Sequence, residues 1–299
     1  MGTPDIARDC LAQLIEDEYN IIGVFTREDK PVGRKQVLTA PPVKELAVEK
    51  NIPVYQPKTL KGEYTEIIKE LAPDMIVVVA YGRILPKAVI DVPKHGCLNL
   101  HVSLLPKYRG AAPIQWSLIN GDKQTGVTVM YIDEGLDTGD IIDVLPIDID
   151  ENETQEMLFK KVAEKGKVFL SKVMSDVIDG NFTRTPQDNS KATLAPPLTK
   201  EMALFDWNTS VLVLHNKIRG QNPWPSAHFM FQEKKVKVLE AKIVDETGTP
   251  GEILSTKPLV IATSDKALQL VKVQPEGSKA MDGTAWCRGR RFKKGDSVL

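Results

Sequence analysis

The 299-residue sequence predicts an α/β protein, with a doubly wound N-terminal domain followed by a small C-terminal β-barrel or sandwich. Three observations predict it. Short apolar runs alternate with amphipathic stretches in the first part of the chain, as repeated βαβ units do. One run, residues 75–80 (MIVVVA), is continuously apolar, as a strand covered on both faces must be. Beyond residue 203 the apolar runs are short and turn formers separate them closely, as in a small barrel or sandwich.

Residues 20–26, 52–55, 75–80, 97–101 and 127–133 read as strands, with helices over 6–17, 42–50, 62–71 and 112–119 between them. A long helix follows over 154–178, with Thr154 as its N-cap and Gly180 as its stop. Residues 181–203 contain TPQDNS and APPLT, turn formers without periodicity, and read as a linker. The chain therefore divides into 1–180, a linker over 181–203, and 204–299. After a helix over 210–219, strands are expected at 227–231, 236–242, 259–262 and 267–273. The opening MGTPD has the look of a turn that starts a helix, and in a doubly wound sheet such a turn follows an inner strand. A gap there would leave backbone groups unpaired, so a further apolar strand of about five to seven residues ahead of Met1 is expected.

With 42% hydrophobic and 26% charged residues, composition excludes a disordered or collagen-like chain. Cys10, Cys97 and Cys287 are few, odd in number and far apart, which suits a reducing compartment and excludes a disulfide scaffold. No apolar run approaches the ~18–20 residues of a membrane span. The N-terminus has no secretory pattern either, so a cytoplasmic protein without a membrane partner is expected; a monomer is expected as well. The net charge of −1 hides a balance of −6 over residues 1–203 and +5 over 204–299. Arg288, Arg290, Arg291, Lys293 and Lys294 crowd one stretch, which fits either a polyanionic partner or a solvated basic surface.

Three stretches carry candidate chemistry. In residues 97–112 (CLNLHVSLLPKYRGAA), Asn99 and His101 lie two apart on a strand and so share a face. An amide beside an imidazole offers an oxyanion donor next to a proton handler, although both side chains could instead satisfy loop backbone. In residues 132–141 (IDEGLDTGDI), four carboxylates crowd a glycine-punctuated loop. They could hold a divalent cation, orient a histidine or form a solvated turn, and their spacing does not match the twelve-residue calcium loop. Residues 78–86 (VVAYGRILP) run from a strand into a loop whose amides could bond a flat heterocycle. The opening lacks G-x-G-x-x-G, no serine lies in G-x-S-x-G, and His95 and Cys97 have no second ligand pair. Those absences argue against a nicotinamide dehydrogenase, a hydrolase elbow and a zinc site.

NLHVSLLP (99–106), YRG (108–110) and LDTGD (136–140) together resemble the formyltransferases that use 10-formyltetrahydrofolate. With MGTPD (1–5), PVGRK (31–35), APPVKELA (40–47), VVAYGRILP (78–86), RGAAPIQWSLINGD (109–122) and QNPWP (221–225), the sequence is similar nearly end to end to the methionyl-tRNA formyltransferase family. The resemblance implies a Rossmann-like catalytic domain, an OB-like C-terminal barrel, and formyl transfer to methionyl initiator tRNA for translation initiation. It implies a catalytic trio at Asn99, His101 and Asp137, and no metal. It implies folate binding by Val79, Ala80, Tyr81, Gly82, Ile84 and Leu85, by Ser103, Leu104, Leu105 and Pro106, and by Asp133 and Glu134. For tRNA it implies Arg34 and Lys35 in a basic loop, and Arg288, Arg290, Arg291 and Lys293 in the C-terminal domain. Val102 stands where the family usually has proline, and the basic loop is about two residues shorter than the family's. The alternatives are a formyltransferase for a small amine, such as glycinamide ribonucleotide or an amino-sugar nucleotide, a non-catalytic tRNA-binding module, and a small regulatory folate sensor. Neither small-amine enzyme needs the basic domain, and a binding module has no need of the trio.

Overall fold

The structure is a computed structural model that describes residues 1–33 and 35–299. The chain divides into two compact units that interleave along the sequence. The first holds Met1–Gly110, Gly126–Ile147 and Lys160–Leu194; the second holds Ala111–Thr125, Asp148–Phe159 and Ala195–Leu299. Residues 181–194, expected in a linker, are thus part of the first unit.

The chain begins with α1 (Asp5–Glu16), β1 (Val24–Phe25), β2 (Lys30–Val32), β3 (Val37–Thr39), α2 (Pro42–Glu49), β4 (Val54–Tyr55) and α3 (Glu63–Leu71). It continues with β5 (Ile76–Val78), α4 (Lys87–Ile90), β6 (Cys97–His101), α5 (Pro113–Ile119), β7 (Gln124–Tyr131), β8 (Ile141–Asp148) and α6 (Gln155–Ile178). The helices form where the apolar spacing demands them. In α1, Ile6, Ala7, Cys10, Leu11 and Leu14 recur every three or four residues and are all buried. Pro42 and Pro113 open α2 and α5, where the missing N–H costs nothing.

In the first unit β1 pairs β4 and β5 pairs β6, both in parallel. The sheet departs from an all-parallel one at β7, which runs antiparallel to β6 with Asn99 opposite Met130 and His101 opposite Thr128. It also falls into two parts, β1-β4 and β5-β6-β7-β8. Met1 and Gly2 lie between them. The Gly2 N–H donates to Phe25 O at 3.0 Å and the Val79 N–H to Met1 O at 2.9 Å. Beside this two-residue bridge is a cavity of about 420 Å³ lined by side chains including Leu11, Leu14, Ile68, Val77 and Met174. Phe25, Ile68, Ile76, Val78, Tyr81, Leu85 and Cys97 form the adjoining core.

The second unit adds α7 (Val211–Gln221), β9 (His228–Phe231), β10 (Lys234–Val244), β11 (Ile253–Thr256), β12 (Leu259–Ala262), β13 (Ala267–Pro275), β14 (Met281–Asp282) and α8 (Gly283–Arg290). Its antiparallel sheet runs β11-β12-β13-β10-β9, with β14 also on β13. Among the described residues this pairing path is open. Register shifts on either side of Glu240 interrupt the long β10–β13 ladder. Trp207, Phe229 and Trp286 meet edge-on in its core, with centroids 5.1 and 6.0 Å apart. The helix expected at 112–119 belongs to this unit, as α5, and packs on α7. Gly220 permits the approach, since a Cβ there would come 2.8 Å from the Ile119 side chain. Among the described residues no helix is long and apolar enough to cross a membrane.

Candidate active site

Strand β6 sets the first two side chains. Asn99 and His101 project from the same face, as do Met130 and Thr128 opposite them. His101 is buried at 6% exposure, and its Nε2 lies 2.9 Å from the carbonyl oxygen of Tyr108. A carbonyl can only accept, so Nε2 carries the proton and Nδ1 is the nitrogen with a free lone pair in the neutral ring. Asn99 is half-buried, and among the described residues no protein group bonds its side-chain amide.

Asp137 arrives by an indirect route. Because β7 is antiparallel, it ends beside the start of β6, where the Ile132 N–H donates to Cys97 O at 2.8 Å. The following loop must therefore fold back along the sheet face to reach His101. There Asp137 Oδ2 lies 3.6 Å from His101 Nδ1 and accepts the Gly110 N–H at 2.8 Å. Asp137 has a left-handed backbone, φ +53°, and Gly139 passes so close to Tyr131 that a Cβ would come 1.9 Å from its carbonyl oxygen. Two of the loop's other carboxylates have separate partners. Asp133 Oδ1 accepts from Gly135 N–H at 2.9 Å and Thr138 hydroxyl at 2.6 Å, and Asp140 Oδ2 from Arg184 Nε at 3.1 Å. Of the four carboxylates, Asp137 lies beside the histidine.

Several contacts had no signal in the sequence. Residues 185–193 strap the two loops together. Thr185 and Ile141 exchange backbone hydrogen bonds of 2.9 Å, and at the other end Arg109 N–H donates to Thr193 O at 2.9 Å. Between them Gln187 bonds both the Arg109 guanidinium and the Asp137 loop. The YRG motif pointed to its own segment, but a polar residue in a turn-rich stretch gave no hint of a partner 50 residues away.

The loop after β5 has an alternating character. Val79, Tyr81 and Leu85 are buried, while Ala80, Gly82 and Ile84 are exposed. Ala80 and Gly82 have φ of +46° and +72°. Arg27 anchors the loop by donating to Gly82 O, and Arg83 bonds Glu28 and the Lys58 carbonyl. The Tyr81 hydroxyl is buried without a hydrogen-bond partner among the described residues, and burial pushes it up to about 12. After β6, Ser103 and Leu105 are buried; Ser103 Oγ donates to Lys107 O at 2.7 Å. Leu104 and Pro106 are half-buried, and Asp133 and Glu134 are exposed.

Arg34 lies outside the described residues; Lys35 is exposed in the turn between β2 and β3. Arg288 and Arg290 occupy the last turn of α8, where their charge also complements the helix dipole. Arg291, Lys293 and Lys294 follow, all exposed.

A sheet end carrying an amide, an imidazole and a carboxylate, beside a loop with outward-facing backbone, is the arrangement of a group-transfer enzyme. The "Formyl transferase" family model matches residues 1–174 and the "Formyl transferase, C-terminal domain" model residues 197–291. The chain belongs to the formyl transferase family. It is 45% identical to the methionyl-tRNA formyltransferase of Clostridioides difficile, over 99% of this chain and 97% of that one. It is 42% identical to that of Bacillus subtilis, over 99% and 95%. An N-formyltransferase from Helicobacter canadensis, solved with folinic acid and dTDP-3-aminofucose, shares the fold. Its TM-score is 0.68 at 20% identity, covering 90% of this chain and 97% of that one.

Proposed function

We propose that this enzyme transfers the formyl group of 10-formyltetrahydrofolate to the α-amino group of methionyl initiator tRNA, for translation initiation. In a chain of this family, the mechanism is supported by Asn99 and His101 sharing one face of β6 and by Asp137 Oδ2 lying 3.6 Å from His101 Nδ1. The amine lone pair forms a bond to the formyl carbon, and the carbonyl electrons move onto oxygen. Asn99 donates to that oxyanion, and one such donor is worth on the order of 3 kcal/mol. The attacking nitrogen must lose a proton and the departing folate nitrogen must gain one as its bond to carbon breaks. With Nε2 held by Tyr108 O, His101 takes and returns this proton at Nδ1, and the Asp137 carboxylate stabilises the charged ring in between.

The 80–86 loop suits the donor. Outward backbone at Ala80 and Gly82, the apolar Ile84 side chain at 88% exposure, and the unpartnered Tyr81 hydroxyl fit a flat heterocycle with a polar edge. Ser103–Pro106 backbone and the Asp133–Glu134 turn would border it. Lys35 and the basic residues from Arg288 to Lys293 follow the tRNA phosphates. The second unit's sheet is read as OB-related, and the enzyme as a cytoplasmic monomer. The test is single-turnover formylation with labelled donor. His101→Ala and Asn99→Ala should each lose at least about 100-fold in rate, with tRNA affinity within about threefold of wild type. Near-normal turnover by His101→Ala would overturn the mechanism.

A further inference from the structure

We propose that Gln187 is a positioning residue for formyl transfer, holding the Asp137 loop in the geometry that sets its carboxylate beside His101. The proposal rests on the formyl-transfer reading above. Gln187 Nε2 donates to Asp137 O at 2.9 Å and to Gly139 O at 2.8 Å, on either side of Thr138. Its Oε1 accepts from Arg109 Nε at 3.1 Å and Nη2 at 2.7 Å. The amide can point only one way, because two carbonyls require the NH₂ group and a guanidinium requires the oxygen. Every donor and acceptor position facing the protein is thus used.

The loop needs such a clamp. Asp137 has a left-handed backbone, which costs a non-glycine residue free energy and persists only when surrounding contacts over-determine it. Within the loop, Asp133 ties only the near turn, to Gly135 and Thr138. Gln187 supplies the bonds to the backbone of Asp137 itself. Arg109 also strengthens those bonds, since two charge-assisted bonds at Oε1 polarise the amide and make its N–H groups better donors. Arg109 is buried at 7% exposure and precedes Gly110, whose N–H holds the Asp137 carboxylate. The backbone of Asp137 and its side chain are therefore fixed from two adjacent residues, Arg109 acting through Gln187 and Gly110 acting directly.

Gln187→Glu separates positioning from packing. It keeps the side-chain shape and the Arg109 partnership but sets a carboxylate oxygen against the Asp137 and Gly139 carbonyls, with no proton to donate. Asn189→Ala is the control, since Asn189 Oδ1 accepts from the same Arg109 Nη2 at 2.9 Å but bonds nothing in the Asp137 loop. Steady-state formylation by the full chain should show kcat of Gln187→Glu reduced on the order of 10–100-fold, as an ångström-scale displacement of a reacting group produces. KM for both substrates should stay within about threefold, and Asn189→Ala should keep kcat within about threefold. The proposal is overturned if Gln187→Glu retains wild-type kcat, or if both variants lose kcat equally in step with a lowered melting temperature. Wild type and His101→Ala are assayed alongside. An active wild type, a dead His101→Ala and a normal Gln187→Glu refute the positioning role alone. If wild type formylates only another amine, the substrate reading fails, and the same kcat comparison is made with that amine.

Discussion

Asp137 Oδ2 sits 3.6 Å from His101 Nδ1 while accepting the Gly110 N–H at 2.8 Å, and the ring's other nitrogen meets Tyr108 O at 2.9 Å. Tyr108 and Gly110 are two residues apart, so one short segment orients both members of the pair. Asp137→Asn tests the charge without removing the scaffold, because the amide oxygen can still accept from Gly110. We expect kcat to fall on the order of 100-fold or more, as loss of a stabilised ion pair in a buried site requires, with the melting temperature within about 2 °C of wild type. A kcat within threefold of wild type would show that the carboxylate's charge does not serve catalysis.

Gly139 is the loop's tightest point. A Cβ there would sit 1.9 Å from the Tyr131 carbonyl oxygen, and backbone cannot swing aside as a flexible side chain can. Gly139→Ala should displace Asp137 and reduce kcat on the order of 10–100-fold, while donor binding measured by fluorescence quenching changes less than about threefold. Unchanged kcat would mean the loop relocates without moving Asp137.

Stability should depend on pH through two histidines of the second unit. Burial, with the Arg219 charge behind it, holds His215 below its ordinary value, and burial does the same to His228. Each takes up a proton in the unfolded chain near its usual ~6.5 but resists it when folded. Their contribution is therefore intact above about pH 6.5 and is lost as pH falls toward and through the lowered folded values. The urea midpoint should drop between pH 7.5 and 5.5, and His215→Gln should flatten that slope. An identical slope in the variant would assign the dependence to other groups.

The basic C-terminal cluster should act through counterion release. Arg288→Gln and Lys293→Gln should each weaken tRNA binding and lower the slope of log affinity against log salt by about one. The KM for 10-formyltetrahydrofolate should be unchanged. Equal slopes for wild type and variants would mean that these exposed side chains are solvated and touch no phosphate.

Much of this was legible because local pattern and tertiary environment agree. Residues 97–101 and 259–262 match β6 and β12 to the residue, as apolar strands bounded by turn formers should. Strand β8 escaped notice because its apolar alternation is broken by Pro146 and exposed residues. Strands β2 and β3 are exposed at every residue and carry no burial signal at all. Helix α8 was missed because its eight residues include two glycines, poor helix formers. The direction of β7 cannot be read from its own residues, since alternation looks the same both ways; with it went the folded-back path of the Asp137 loop. Asn99, His101 and Asp137 were visible as residue types in suggestive loops. Gln187 was not, because its importance lies in where the chain returns.

The most direct test of the account offers 10-formyltetrahydrofolate with charged methionyl initiator tRNA in one tube and glycinamide ribonucleotide in another, at the same salt. Formylation of the methionyl-tRNA alone is the predicted result. Formylation of the small amine alone would contradict it and leave the basic domain serving some other partner.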